Sequence, residues 1–215
     1  MTLKRILYLS FFILYLSLFT LSAEEGFSVS ALPDSIFARM QGKSYPTDCR
    51  IARSELRYVQ VLYYGLDEKV HKGEIICNQK IADDLANIFL QLYQARYPLG
   101  SVRLIDDFDA NDERSMQANN TSCFCYRVVR GSARLSKHAQ GLAIDINPLY
   151  NPCVRTLRDG QRRIEPATAT PYIKRSEAFP CRIDHQDLCY RLFISHGFRW
   201  GGDWKNPKDY QHFEK

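Results

Sequence analysis

The stretch from Ser136 to Asp145 reads SKHAQGLAID. It sets His138 seven residues ahead of Asp145, with Gly141 between them. Leu142–Ile146 (LAIDI) has the apolar, β-branched character of a strand, and Asp145 stands inside it. A carboxylate within such a run is costly unless it is paired or bound to a metal. A salt bridge to one of the chain's arginines would also resolve that cost. Gly141 lets the chain turn, so the segment predicts a loop carrying His138, then a strand from which Asp145 projects.

A second stretch, Trp200 to Glu214, reads WGGDWKNPKDYQHFE and carries His212 near the C-terminus. Either histidine alone reads as an ordinary loop or terminal residue. Together with Asp145 they make three metal-competent groups in two motif-rich segments. A catalytic zinc uses this kind of set, with three ligands from His and carboxylate and a fourth position left open.

Working outward, Leu56–Tyr64 (LRYVQVLYY) reads as a strand, Gly65–Glu68 as a turn and Lys72–Cys77 (KGEIIC) as the partner strand. Asn78 is a candidate N-cap for an amphipathic helix whose apolar positions are Ile81, Leu85, Ile88, Phe89, Leu92 and Tyr93, ending near Tyr97. Val102–Ile105 and Phe124–Val129 are short strand candidates, and 106–120 reads as a long polar loop. Residues 150–180, with four prolines and Gly160, read as an irregular insertion. Asp184 is placed to cap a helix through Leu188, Leu192 and Phe193 that stops at Gly197. Phe198–Trp200 and Gln211–Phe213 read as terminal strands. Strands and helices mix without βαβ alternation, so the class is α+β, a small antiparallel sheet flanked by helices.

At the N-terminus, Lys4 and Arg5 precede an apolar run from Ile6 to Leu21, followed by Ser22, Ala23 and two glutamates. This reads as a signal peptide over 1–23, with an uncleaved membrane anchor as the rival. Both export the rest of the chain to a periplasmic or extracellular place. Residues 24–50 then form a loosely structured lead-in and 51–215 one domain. Removing 1–23 lowers the net charge from +5 to +3, too mild to argue for nucleic acid, and no basic stripe with interleaved aromatics is present. All seven cysteines fall after the apolar run. Export predicts at least one disulfide among Cys49, Cys77, Cys153, Cys181 and Cys189. Cys123 and Cys125 are too close in sequence to pair without strain.

The pattern S-x-H-x-x-G-x-A-x-D followed by D-x-x-H-F-E resembles the D-alanyl-D-alanine carboxypeptidase and L-alanyl-D-glutamate endopeptidase group of zinc peptidases. That group shares a superfamily with lysostaphin-type enzymes and the hedgehog signalling domain. The segment Ser115–Arg127 is similar to the one preceding the first zinc ligand in one branch of the group. The resemblance implies Zn2+ held by His138, Asp145 and His212, with Asp209 as general base and Arg127 polarising the scissile carbonyl. Ser136 borders the implied site, and Trp200 and Trp204 shape its pocket or pack as core aromatics. The implied substrate is a peptidoglycan stem peptide cut at D-Ala-D-Ala or at L-Ala-D-Glu, by a monomer that meets a membrane only through an uncleaved signal segment. A non-catalytic zinc-containing binding module of the same fold and a secreted lytic effector remain as alternatives.

Overall fold

The computed structural model describes residues 25–129 and 132–215. The segment read as a signal peptide lies outside them. No helix among the described residues is long and apolar enough to cross a membrane.

The chain begins with strand β1 (Ser28–Ala31) and helix α1 (Asp34–Met40). A long hairpin follows, β2 (Leu56–Gly65) and β3 (Val70–Asn78), paired in register from Leu56↔Asn78 to Tyr64↔Val70. Strand alternation explains why both hairpin faces are covered. Val59, Val61 and Tyr63 point one way with Ile75 and Cys77, onto the apolar stripe of helix α2 (Ala82–Gln94) formed by Leu85, Ile88, Phe89 and Leu92. Leu56, Tyr58 and Ile76 point the other way, into a second cluster with Leu32 and Met40 from the N-terminal segment. Residues 25–50, the described part of the expected loose lead-in, are therefore ordered. β1 adds to the β2 edge, and Arg39 on α1 clamps Glu74 of β3 through two 3.0 Å bonds.

Strand β4 (Pro98–Leu99) runs parallel to the end of β2. β5 (Ser101–Val102) pairs with β6 (Asn120–Thr121), and between them lies helix α3 (Asp112–Gln117), capped by Asn111 accepting from the Arg114 N–H. The span 106–120 is thus structured rather than a plain loop. Phe124–Val129 is extended but not a strand, because its N–H groups are taken one at a time: Phe124 by Ile76, Cys125 by His138 and Tyr126 by Ser44. β7 (Ala143–Asp145) follows. The expected irregular insertion contains the hairpin β8 (Cys153–Thr156) and β9 (Arg162–Glu165). Helix α4 (Leu188–Ser195), strand β10 (Arg199–Trp200), β11 (Lys208–Asp209) and β12 (His212–Glu214) complete the chain. Two small antiparallel sheets result, β10-β12-β7 and β11-β8-β9. With the N-terminal sheet and its helices they make the α+β class read from the sequence.

Two caps differ from expectation. Asn78 ends β3 and turns the chain by accepting from the Lys80 N–H, so α2 starts at Ala82. Asp187, not Asp184, caps α4 by accepting from the Cys189 and Tyr190 N–H groups, while Gly197 closes it at φ +81° as expected. The expected disulfide is not formed, and all seven thiols are free. Cys49 packs on the second cluster and Cys153 lies beside Asp209, while Cys181 and Cys189 lie near each other as unbridged thiols, Cys181 meeting the Pro98 carbonyl. Leu85 is fully buried between α2 and the hairpin. Leu85→Ala is expected to cost roughly 2–5 kcal/mol in denaturant unfolding.

Candidate active site

The loop after the hairpin delivers the first site residue. Residues 138–140 make one 3₁₀ turn, and Gly141 reverses the chain at φ +67°. Gly141 also lies against β3: its carbonyl accepts from the Asn78 N–H at 2.8 Å, and a Cβ there would sit 2.6 Å from that nitrogen. Glycine is required by both the dihedral and the close approach. The turn leaves His138 buried, with Nδ1–H donating to the Cys123 carbonyl at 2.7 Å, so Nε2 faces inward as an acceptor.

β7 and β12 supply the other two groups. They pair antiparallel with Asp145 opposite His212 and Ile144 opposite Phe213. The Ile146 N–H donates to the Gln211 carbonyl and the Lys215 N–H to the Leu142 carbonyl. These bonds make Asp145–His212 a non-hydrogen-bonded pair, the type whose side chains approach most closely. Alternation then sorts the strands: Ile144 and Phe213 enter the core, while Asp145, His212 and Glu214 share the opposite face.

The structure brings together the three residues expected as ligands. His138 Nε2 is 3.1 Å from His212 Nδ1, His212 Nδ1 is 3.1 Å from Asp145 Oδ1, and His138 Nε2 is 3.3 Å from Asp145 Oδ1. A tetrahedral ion with ligands at about 2.0–2.1 Å separates its ligand atoms by about 3.3–3.4 Å. The triangle is therefore close to one face of such a tetrahedron, and the donor set fits a metal. Charge balance agrees. Burial raises the Asp145 pKa, but His138 and His212 outweigh that and hold it well below the carboxylate range. Burial pulls His212 down, yet its bonds to Asp145 and Glu214 push it up to about 10. The carboxylates thus call for positive charge in the triangle.

Asp209 lies nearby on β11, paired to Cys153 of β8, and lines the same cavity. Its Oδ1 is buried with no hydrogen-bond partner among the described residues. Burial pushes its pKa up to about 6, with His212 opposing and Asp145 adding to the rise. Gly201 makes its position possible, since a Cβ at 201 would lie 2.6 Å from the Asp209 carbonyl oxygen and 3.2 Å from His212 Cβ. Arg127 reaches the cavity wall with Nε 2.6 Å from Asp112 Oδ2 as an ion pair, out of hydrogen-bond alignment. Ser136 is buried, and its Oγ accepts from the His138 N–H at 3.2 Å, steadying the loop. Trp204 lines the cavity and tilts over His212 at 5.2 Å. Trp200 does not line it. Its ring packs among His185, Tyr190 and Phe213, and its Nε1–H donates to the Tyr210 carbonyl, so it is a core residue.

Among the cavity residues given no role from the sequence, Glu214, Gln211 and Cys153 bear on the site. Glu214 Oε2 lies 3.4 Å from His212 Nε2, and its two-residue offset on a strand was the available signal. Gln211 is buried, and its Oε1 has no partner among the described residues. Cys153 faces Asp209 from the inserted hairpin, a contact with no sequence signal. The cavity encloses roughly 540 Å³, the size of a small-ligand site.

Residues 130–215 match the family described as D-alanyl-D-alanine carboxypeptidase, a peptidase family, which bears out the resemblance. No curated protein and no solved structure matches the chain.

Metal analysis of the purified chain is expected to find one ion, and His212→Ala to lose it. Glu214→Gln removes the charge that orients His212 and is expected to weaken metal affinity by about 10- to 100-fold in chelator competition.

Proposed function

We propose that this chain is a zinc-dependent peptidase acting on peptidoglycan-derived peptides, with the terminal D-Ala-D-Ala bond as its substrate. The observation that carries this is the triangle of His138 Nε2, Asp145 Oδ1 and His212 Nδ1 with the unpartnered Oδ1 of Asp209 on the same cavity. The family description favours the terminal bond over L-Ala-D-Glu. When bound, zinc supplies Lewis-acid polarisation of a carbonyl and makes water ionise near neutral pH.

The chain's own residues do the rest. Asp209 accepts a proton from the attacking water and returns it to the leaving amine. A base with a pKa lifted to about 6 suits that exchange near neutrality. Arg127 lends positive charge to the developing oxyanion, with Asp112 fixing its guanidinium. Ser136 keeps the His138 loop in place, and Trp204 shields His212 from water. The chain acts as a monomer outside the cytoplasm, where its polymer substrate lies.

Mass spectrometry of muropeptides incubated with the protein tests the reading: loss of one alanine, abolished by chelator, is expected, and unchanged muropeptides would sink it. Asp209→Asn is expected to keep metal content and thermal stability near wild type while turnover drops roughly 10²–10⁴-fold. Wild-type turnover at matched metal occupancy would remove Asp209 from the mechanism.

A further inference from the structure

The link between Asp209 and His212 is gripped by a cation outside the cavity. Tyr210 and Gln211 make up that link. The Gln211 carbonyl is fixed by the Ile146 N–H at 2.9 Å. Tyr210 is held three times over. Its N–H donates to the Pro152 carbonyl at 3.4 Å, and its carbonyl accepts from Trp200 Nε1–H at 2.9 Å. Its ring meets the Arg175 guanidinium, 4.4 Å from the ring centroid.

Arg175 is half-buried, and no acid among the described residues forms an ion pair with it. Asp184 acts on it only at a distance and is itself paired with Arg182 at 2.8 Å. Burial pulls the Arg175 pKa down to about 10, so the cation is kept there at a cost. Fixed dipoles and rings compensate. Nη1 donates to the Tyr150 carbonyl at 2.9 Å, and Nη2 to the Ile183 carbonyl at 2.8 Å and to Asn151 Oδ1 at 3.1 Å. The Phe179 ring lies 5.0 Å away. These partners fix the plane of the guanidinium, which stacking on Tyr210 requires.

The acceptors are themselves anchored. Asn151 is fully buried, and its Nδ2 donates to the Cys181 carbonyl at 2.8 Å and the Asn147 carbonyl at 3.2 Å. Asn147, also fully buried, stands two residues after Asp145 and donates to the Pro98 carbonyl at 3.0 Å. A continuous run of contacts therefore leads from the end of β7, through Asn147, Asn151 and Arg175, to Tyr210 beside Asp209. A buried polar network satisfied in this way is rigid.

We propose that Arg175 is a positioning residue for the base: held on Tyr210, its guanidinium fixes the link and with it the place of Asp209 beside the metal triangle. The proposal rests on the peptidase reading above. Arg175 does not line the cavity, so it acts on turnover rather than on substrate affinity.

The test has two readouts on the metal-loaded chain. In hydrogen exchange, Arg175→Met is expected to speed the amides of 208–211 by about 10-fold, the scale of a desolvated cation–π contact with its hydrogen bonds. The Ile144 and Phe213 amides, in the sheet that carries two ligands, are expected to stay protected. In muropeptide hydrolysis at matched metal occupancy, kcat is expected to fall about 10- to 100-fold, the effect of a misplacement of about 1 Å, with KM nearly unchanged. Arg175→Lys keeps a cation without the planar fork and is expected to retain part of the turnover. Should Arg175→Met fail to fold, Arg175→Lys carries the same two readouts. Tyr210→Leu is expected to lower kcat alike, and the double variant no further, because both act through one contact. Leu85→Ala weakens the core elsewhere and is expected to lower thermal stability while leaving kcat of the folded chain unchanged. Unchanged exchange at 208–211, unchanged kcat, metal lost in step with kcat, or losses that multiply in the double variant would each overturn the proposal. Faster exchange at 208–211 with no hydrolysis by the wild-type chain supports Arg175 as the clamp on this link and discards the peptidase.

Discussion

Asp145 and His212 face each other as a non-hydrogen-bonded pair across two short antiparallel strands, and the site depends on that register. It brings together groups 67 residues apart to 3.1 Å. It also decides what lies behind them, since Ile144 and Phe213 fill the core only when Asp145 and His212 face out of it. A slip of one residue would exchange the two sets and bury a carboxylate among aromatics. Stacking of Phe213 on Phe193, with ring centroids 4.3 Å apart, is thus part of what holds the site in shape.

The ligand triangle and the candidate base stand on different sheets. β7 and β12 carry Asp145 and His212, whereas β11 carries Asp209 and is paired to the inserted hairpin. Only Tyr210 and Gln211 separate β11 from β12. Such a short link fixes the distance between base and triangle, while the surroundings of each are set independently. The triangle is shaped by the core behind Phe213. Burial raises the proton affinity of Asp209, while a hydrogen bond from the Cys153 thiol on the hairpin opposes the rise.

Much of this was legible in the sequence because it rests on local patterns. The alternation in Leu56–Tyr64, the helical stripe from Ile81 to Leu92 and the carboxylate stranded in LAIDI each state their role within ten or so residues. The spacing around Gly141 was legible for the same reason. The losses came where a role depends on a distant partner. Trp200 sits in a motif-rich segment, but its ring turns toward Tyr190 and Phe213, which no local rule foretells. Residues 150–180 looked irregular because Pro and Gly punctuate them, yet β8 is stabilised by β11, more than 50 residues on. The N-terminal segment looked loose because β1 is only four residues long and borrows its order from β2. Cysteine count predicted bridging, whereas the seven thiols are free, Cys181 and Cys189 included although they are neighbours.

Gly201 touches no substrate and titrates no proton, yet its missing side chain is the space into which Asp209 and His212 both fit. Any larger residue must move the carbonyl of one or the Cβ of the other. Chemistry and architecture therefore share a single point of failure, one hydrogen atom wide. A chain of this fold could keep every ionisable group of the site intact and still fall silent through a change at position 201. Inspection of its acids and histidines alone would miss it.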